Sequence, residues 1–153
     1  MKEKTCCFTG RRKLTQEQLV KAAHDLSCTI DDLIKNGYTH FISGVADGID
    51  LLAARIVLEF QKSNKNLSLQ AAVPYRNRLN SHDGYFKYII KSCSKITVTS
   101  EQYNPGCFSK RNKLMVDNSD LVVSVWDGVR SGGTYNTIMY AKSQGKQVIT
   151  IDI

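Results

Sequence analysis

The chain has 153 residues, 42% hydrophobic and 23% charged, and Lys plus Arg outnumber Asp plus Glu by 21 to 14, a formal net charge of +7. A single globular unit over residues 1–153 is expected, able to bury roughly 70% of its unfolded surface without disulfides or a metal. No apolar run approaches the ~20 residues that cross a bilayer, which excludes a helical membrane protein, and the basic balance favours anionic partners.

The five cysteines, Cys6, Cys7, Cys28, Cys93 and Cys107, are odd in number and show no C-x-x-C spacing, and His24, His40 and His82 are scattered. Neither a disulfide framework nor a zinc site is expected, and unpaired thiols suit a reducing, cytoplasmic setting. Residues 1–4 run toward a strand-like stretch with no leader pattern.

Residues 5–9 read as the first strand, followed by Gly10. Thr15 and Gln18 then form a capping box, and Leu19, Ala22, Leu26, Ile30 and Leu33 recur at helical spacing until Asn36-Gly37 stops the helix. A second strand is expected over 38–43. Beyond Gly44 and Gly48, a second helix is marked by Ile49, Leu52, Ala53, Ile56, Val57 and Phe60 on one face. The third strand covers 67–74 and ends on Pro74. A helix over 83–92, a strand over 95–99 and a helix over 109–118 follow. Residues 121–126, Leu-Val-Val-Ser-Val-Trp, read as a strand buried on both faces. The last helix, 134–144, stops at Gly145 before a sixth strand at 147–151. This alternation predicts the α/β class, a mostly parallel sheet of about six strands with helices on both faces.

The glycines fall unevenly. Gly10 follows the first strand, Gly44 and Gly48 the second, and Gly128, Gly132 and Gly133 the fifth, all at strand carboxyl ends. Open α/β sheets bind ligands at that edge, where helix N-termini offer free N–H groups and glycine lets a phosphate reach the backbone. Two clusters are sharpest: Ser43-Gly44-Val45-Ala46-Asp47-Gly48-Ile49-Asp50, and Gly132-Gly133-Thr134 with Asp127 just upstream. Neither reads G-x-G-x-x-G and neither continues into G-K-[ST], which argues against a nicotinamide dehydrogenase or a Walker-type ATPase. Tyr75, after Pro74, and Tyr103 are placed to stack on an adenine-like ring, and Arg76 and Arg78 to add charge to the same edge. Trp126 also admits a base-stacking reading but, ending a buried strand, reads first as core. Cys6 and Cys7 read as core on opposite strand faces, and Cys107 as a plain loop cysteine.

Thr9-Gly10-Arg11-Arg12, the Ser43 to Asp50 turn with Leu51-Leu52-Ala53-Ala54, Arg111-Asn112-Lys113-Leu114-Met115-Val116-Asp117 and Gly132-Gly133-Thr134 together resemble the YpsA-like family. That family belongs to the SLOG superfamily, which also holds DprA and the LOG phosphoribohydrolases, and the match runs in order over nearly the whole chain. The resemblance implies a modified Rossmann-like three-layer fold whose pocket holds nucleotides or nucleotide-derived ligands. Carried over by residue, it puts Thr9, Gly10, Arg11, Gly44, Ala46, Gly48, Asp50, Arg111, Asn112, Gly132, Gly133 and Thr134 at or near that pocket. Ser43, Asp47, Pro74, Tyr75 and Asp127 join them as candidate ligand-binding residues of the same edge. The family's first turn usually reads TGHRP, whereas Arg11 stands here at the histidine position and Lys13 at the proline position. Arginine suits phosphate through two parallel hydrogen bonds.

LOG enzymes carry PGGxGTxxE, whose glutamate belongs to catalysis. Aligning Gly133-Thr134 with that GT puts Thr137 at the glutamate, and threonine is no general acid or base near neutral pH. Asp47, Asp50, Asp117 and Asp127 remain candidate acids. Asp50 is expected to cap the second helix or to bond a ligand hydroxyl, and Asp117 to cap or to fix Arg111. The functional expectation is binding of a phosphorylated nucleotide or nucleotide-derived ligand, ADP-ribose-like or a mononucleotide, by a sensor or sequestering protein without chemistry. The alternatives are a hydrolase of a nucleotide's N-glycosidic or phosphate bond and a DprA-like module for single-stranded nucleic acid. The +7 charge agrees with the latter, but no Arg-Lys run with interleaved aromatics supports it. The resemblance also implies association into a homo-oligomer.

Overall fold

The computed structural model describes residues 3–153; Met1 and Lys2, the start of the lead-in to the first strand, lie outside them. In chain order the described residues form β1 (Lys4–Gly10), α1 (Gln16–Lys35), β2 (Tyr38–Ser43), α2 (Ile49–Gln61), β3 (Ser68–Val73), a 3-10 turn (Arg76–Asn80), α3 (Gly84–Ser92), β4 (Lys95–Val98), α4 (Cys107–Asp117), β5 (Leu121–Trp126), α5 (Gly133–Ser143) and β6 (Gln147–Asp152). The strands join one sheet in the order β4-β3-β2-β1-β5-β6, every neighbouring pair parallel. This is the expected α/β, Rossmann-like three-layer arrangement. No helix among the described residues is long and apolar enough to cross a membrane.

Local signals act as the sequence suggests. The Thr15 hydroxyl accepts from the Gln18 amide at 3.1 Å, and the Gln18 side chain accepts from the Thr15 amide at 3.0 Å. That reciprocal pair satisfies two orphan donors at the start of α1. Its stripe Ala22, Leu26, Ile30 and Leu33 is buried. Successive strand residues face opposite ways, so Cys6 belongs to the core cluster under α1, α2 and α3, whereas Cys7 belongs to the one with Met115 and Val116 of α4 and Ala141 of α5. Three helices therefore cover one face of the sheet and two cover the other. Burial pushes the Cys7 thiol up to about 12, in keeping with a packing role.

Two segments differ from expectation. The 3-10 turn after β3 has no buried residue, so no apolar period announced it. Helix α4 starts at Cys107, two residues earlier than the apolar pattern suggests, because the Asn104 side chain accepts from the Gly106 amide at 3.1 Å and the Asn104 carbonyl from the Cys107 amide at 3.1 Å. Cys107 is consequently a buried helix residue rather than a loop cysteine.

The strand order places the site. From β1 the chain builds the sheet outward through β2, β3 and β4, then returns to add β5 and β6 on the other side of β1. The loops after β1 and β5 leave toward opposite faces and open a crevice between their carboxyl ends, the usual binding position in such sheets.

Candidate functional site

A cleft of about 570 Å³ occupies that crevice. The β1 end and the loop after it supply Thr9, Gly10, Arg11, Arg12 and Lys13; the β5 side supplies Trp126, Asp127, Val129 and Ser131. Gly132, Gly133 and Thr134 line it at the start of α5, Ala46 reaches it from the β2–α2 turn, Asp50 from α2, and Phe108, Arg111 and Asn112 from α4. Gly132 takes φ +92° at the N-cap of α5, and no side chain among the described residues caps that helix. Its first N–H groups lack intrahelical acceptors and leave a positive helix end at the cleft. Arg11 pairs with Asp127 at 3.4 Å, and the Arg12 guanidinium lies 4.7 Å from the Phe108 ring centroid.

The second glycine cluster acts mainly as a scaffold. The buried Ser43 hydroxyl donates to the Asp50 carbonyl at 2.8 Å and accepts from the Val45 amide at 3.1 Å. Gly10 packs so close to α2 that a Cβ there would lie 2.5 Å from the Ile49 Cβ. Gly48, at φ +81°, is the N-cap of α2 and lies against the Arg11 and Arg12 carbonyls; the Ile49 amide donates to the Arg11 carbonyl at 3.1 Å. Asp50 therefore does not cap the helix. It sits buried in the first turn with its carboxyl at the cleft floor.

Arg111, 4% exposed, ties this scaffold together. It donates to the Gly44 carbonyl at 2.6 Å, the Ala72 carbonyl at 3.4 Å and the Asn112 side chain at 2.7 Å. Asp117 does not fix it, being engaged instead as the acceptor of the Tyr140 hydroxyl at 2.7 Å.

Burial pushes the Asp50 carboxyl up from 3.8 to about 6, while Arg111, the Ala46 amide and Arg12 pull it down. The folded state thus holds this proton more tightly than the unfolded chain. The stability it contributes is fully present below about pH 4 and is lost as pH rises through 6, by about 3 kcal/mol for a shift of this size. Urea unfolding checks this directly: Asp50→Asn, which cannot ionise, should gain about that much on wild type between pH 4 and 7. A constant difference across the range would contradict the assignment.

Of the sequence candidates, Thr9, Gly10, Arg11, Ala46, Asp50, Arg111, Asn112, Asp127, Gly132, Gly133 and Thr134 line the main cleft. Gly44, Asp47, Pro74 and Tyr75 line a smaller chamber of about 190 Å³ at the ends of β2 and β3, which shares Arg12, Ala46, Phe108 and Arg111 with it. Ser43 and Gly48 line neither. Sequence reasoning missed Arg12, Lys13, Phe108 and Val129. Of the two readings of Trp126, the favoured one, core, is the wrong one: its ring is half-buried at the cleft, 6.1 Å from Tyr135 and stacked on it, with its indole N–H donating to the Val129 carbonyl at 2.9 Å. A tryptophan at the last position of a strand, where the sheet ends, was the available signal. Tyr75, Tyr103 and Phe108 pack edge to face with centroids 5.5–6.3 Å apart. Arg76 turns away to pair with Glu101 at 2.9 Å. Thr137 is buried in α5, its hydroxyl donating to the Gly133 carbonyl at 2.8 Å. Among the described residues no cluster of His, Cys, Asp and Glu could hold a metal.

A doubly wound parallel sheet with a basic, glycine-edged crevice at its switch point defines the class as Rossmann-like. The model of the YspA SLOG family matches residues 11–153, and the chain belongs to that family. It is 29% identical over 143 residues to the uncharacterized SPbeta prophage-derived protein YoqJ of Bacillus subtilis, covering 81% of this chain and 82% of that protein. In fold it resembles DNA processing protein A (DprA) of Streptococcus pneumoniae, with a TM-score of 0.73 and 17% identity over 97% of this chain and 50% of that one. It also resembles DprA of Helicobacter pylori, a single-stranded DNA binder, with a TM-score of 0.68 and 18% identity over 96% of this chain and 64% of that one. The chain thus spans half to two thirds of the two DprA chains.

Proposed function

We propose that the protein binds a phosphorylated nucleotide or nucleotide-derived ligand in the crevice between β1 and β5, as a sensor or sequestering protein. One observation carries the reading: Arg11, Arg12 and Lys13 converge with the uncapped, glycine-edged N-terminus of α5 on a single cleft. Fixed N–H groups and guanidinium forks are what a phosphate requires. Trp126 offers a ring for a base beside them. Thr137, at the position of the LOG glutamate, is committed to the helix backbone, which favours binding over phosphoribohydrolase chemistry.

Gly133→Val tests the site. It adds two methyls where the anion would approach, and a Cβ at Gly133 meets no atom within 4 Å, so the fold should tolerate it. Titrating the emission of Trp126, the chain's single tryptophan, with AMP, ADP, ATP, ADP-ribose and NAD should reveal a ligand whose affinity falls at least tenfold in the variant. Equal affinity would remove this turn from the site.

A second reading is favoured by the likeness in fold to DprA together with the +7 charge: the cleft takes single-stranded nucleic acid. Its mark would be oligonucleotide affinity that drops steeply with salt and exceeds that of every mononucleotide.

A further inference from the structure

The smaller chamber at the ends of β2 and β3 is basic in its own right. Arg12, Arg78 and Arg111 converge on it from the β1–α1 loop, the 3-10 turn and α4, with the rings of Tyr75 and Phe108 as walls. The acid among its lining residues is Asp47, which is 68% exposed and only 3.5 Å from Arg78 at its closest. Arg78 is held in place: it donates to the Val45 carbonyl at 2.8 Å and lies 4.0 Å from the Phe86 ring centroid. Val45 takes φ +48°, an unusual conformation for a β-branched residue, and its carbonyl is the acceptor that receives Arg78. Strained backbone of this kind clusters at ligand-binding turns.

Arg12 and Arg78 both disfavour the charge on the buried Arg111. Burial lowers the affinity of Arg111 for its proton, Asp50 opposes this, and Arg12 and Arg78 lower it further. Like charges gathered around a space of about 190 Å³ are balanced best by an anion inside it. Arg12 borders both this chamber and the main cleft, so two anionic groups can lie on either side of one guanidinium.

We propose that the ligand carries two separated phosphates, one in the β1–β5 crevice and the other in the Arg12–Arg78–Arg111 chamber, which makes nucleoside bisphosphates and short linear dinucleotides the preferred class. This rests on the reading of the crevice as a nucleotide site.

The test compares 5′-monophosphates of the four ribonucleosides with their 3′,5′-bisphosphates on the intact chain. The best bisphosphate should bind wild type at least tenfold more tightly than its monophosphate, the scale of a charge-assisted pair of hydrogen bonds. Arg78→Met should abolish most of that ratio. Because Arg78 also braces the Val45 turn, Asp47→Asn serves as the second variant; it removes an exposed opposing charge and should raise the ratio about two- to fivefold. Monophosphate binding with no bisphosphate preference, or a preference insensitive to both variants, overturns the proposal alone. Failure of every nucleotide to bind overturns the crevice reading and the proposal with it.

Discussion

Replacing Gly48 with alanine should destabilise the fold by about 3 kcal/mol and disable the cleft in the same step. Two independent causes act at this residue. Its φ of +81° with ψ of −125° suits glycine alone, and a Cβ would collide with the backbone carbonyls of Arg11 and Arg12. These carbonyls cannot swing aside as a side-chain end would, because the Arg11 carbonyl accepts the Ile49 amide that opens α2. Relief requires the 11–13 loop to move, and that loop carries three of the cleft's basic side chains. A melting temperature lower by roughly 6–12 °C is expected, with nucleotide affinity lost even where the variant is fully folded. A variant that melts like wild type would mean that the β1 loop and α2 do not meet as closely as described.

The second large effect belongs to Arg111. Its methionine variant keeps the aliphatic stem but strips the Gly44 and Ala72 carbonyls of a buried donor and leaves the Asp50 carboxyl without its principal opposing charge. Buried acceptors left unpaired and a buried charge left uncompensated together should cost about 3 kcal/mol at pH 7. The loss should shrink at pH 5, because Asp50 is then protonated and needs no cation. Asp50→Asn in the Arg111→Met background should likewise recover part of it, so the two substitutions should be less than additive. Chemical denaturation of the four proteins at pH 5 and pH 7 measures this cycle. Strict additivity at both pH values would show that Arg111 and Asp50 act independently.

The two large effects concern residues that the sequence displays to different degrees. All six strands and five helices were legible, because each is announced by a local period or cap: Thr15 with Gln18, the stripe of α1, the unbroken apolar run of β5. The glycine clusters were legible as an edge, since they recur after strands and not only after helices. What a one-dimensional pattern does not carry is strand order, and strand order decides which turns meet. Only once β5 lies beside β1 do Asp127 and Gly132 face Arg11, and only then is Trp126 at a cleft rather than inside the core. The same holds for Phe108, which borders the main cleft and the smaller chamber, and for what anchors Arg78: its place on this edge was legible, but its acceptor at Val45 lies 33 residues away. Asp50 illustrates a different limit. An acidic residue in a first helical turn resembles a cap, yet the N-cap of α2 is Gly48, packed against the β1 loop, and the Asp50 carboxyl lies in the cleft lining instead.

The proposal that a nucleotide occupies the crevice between β1 and β5 is tested by the amide chemical shifts of the labelled protein during titration with the best-binding nucleotide. Saturable shifts are expected at residues 10–13 and 132–135 and at the Trp126 indole, with the outer face of α1 unmoved. Shifts confined to other surfaces, or none at millimolar nucleotide, would contradict it.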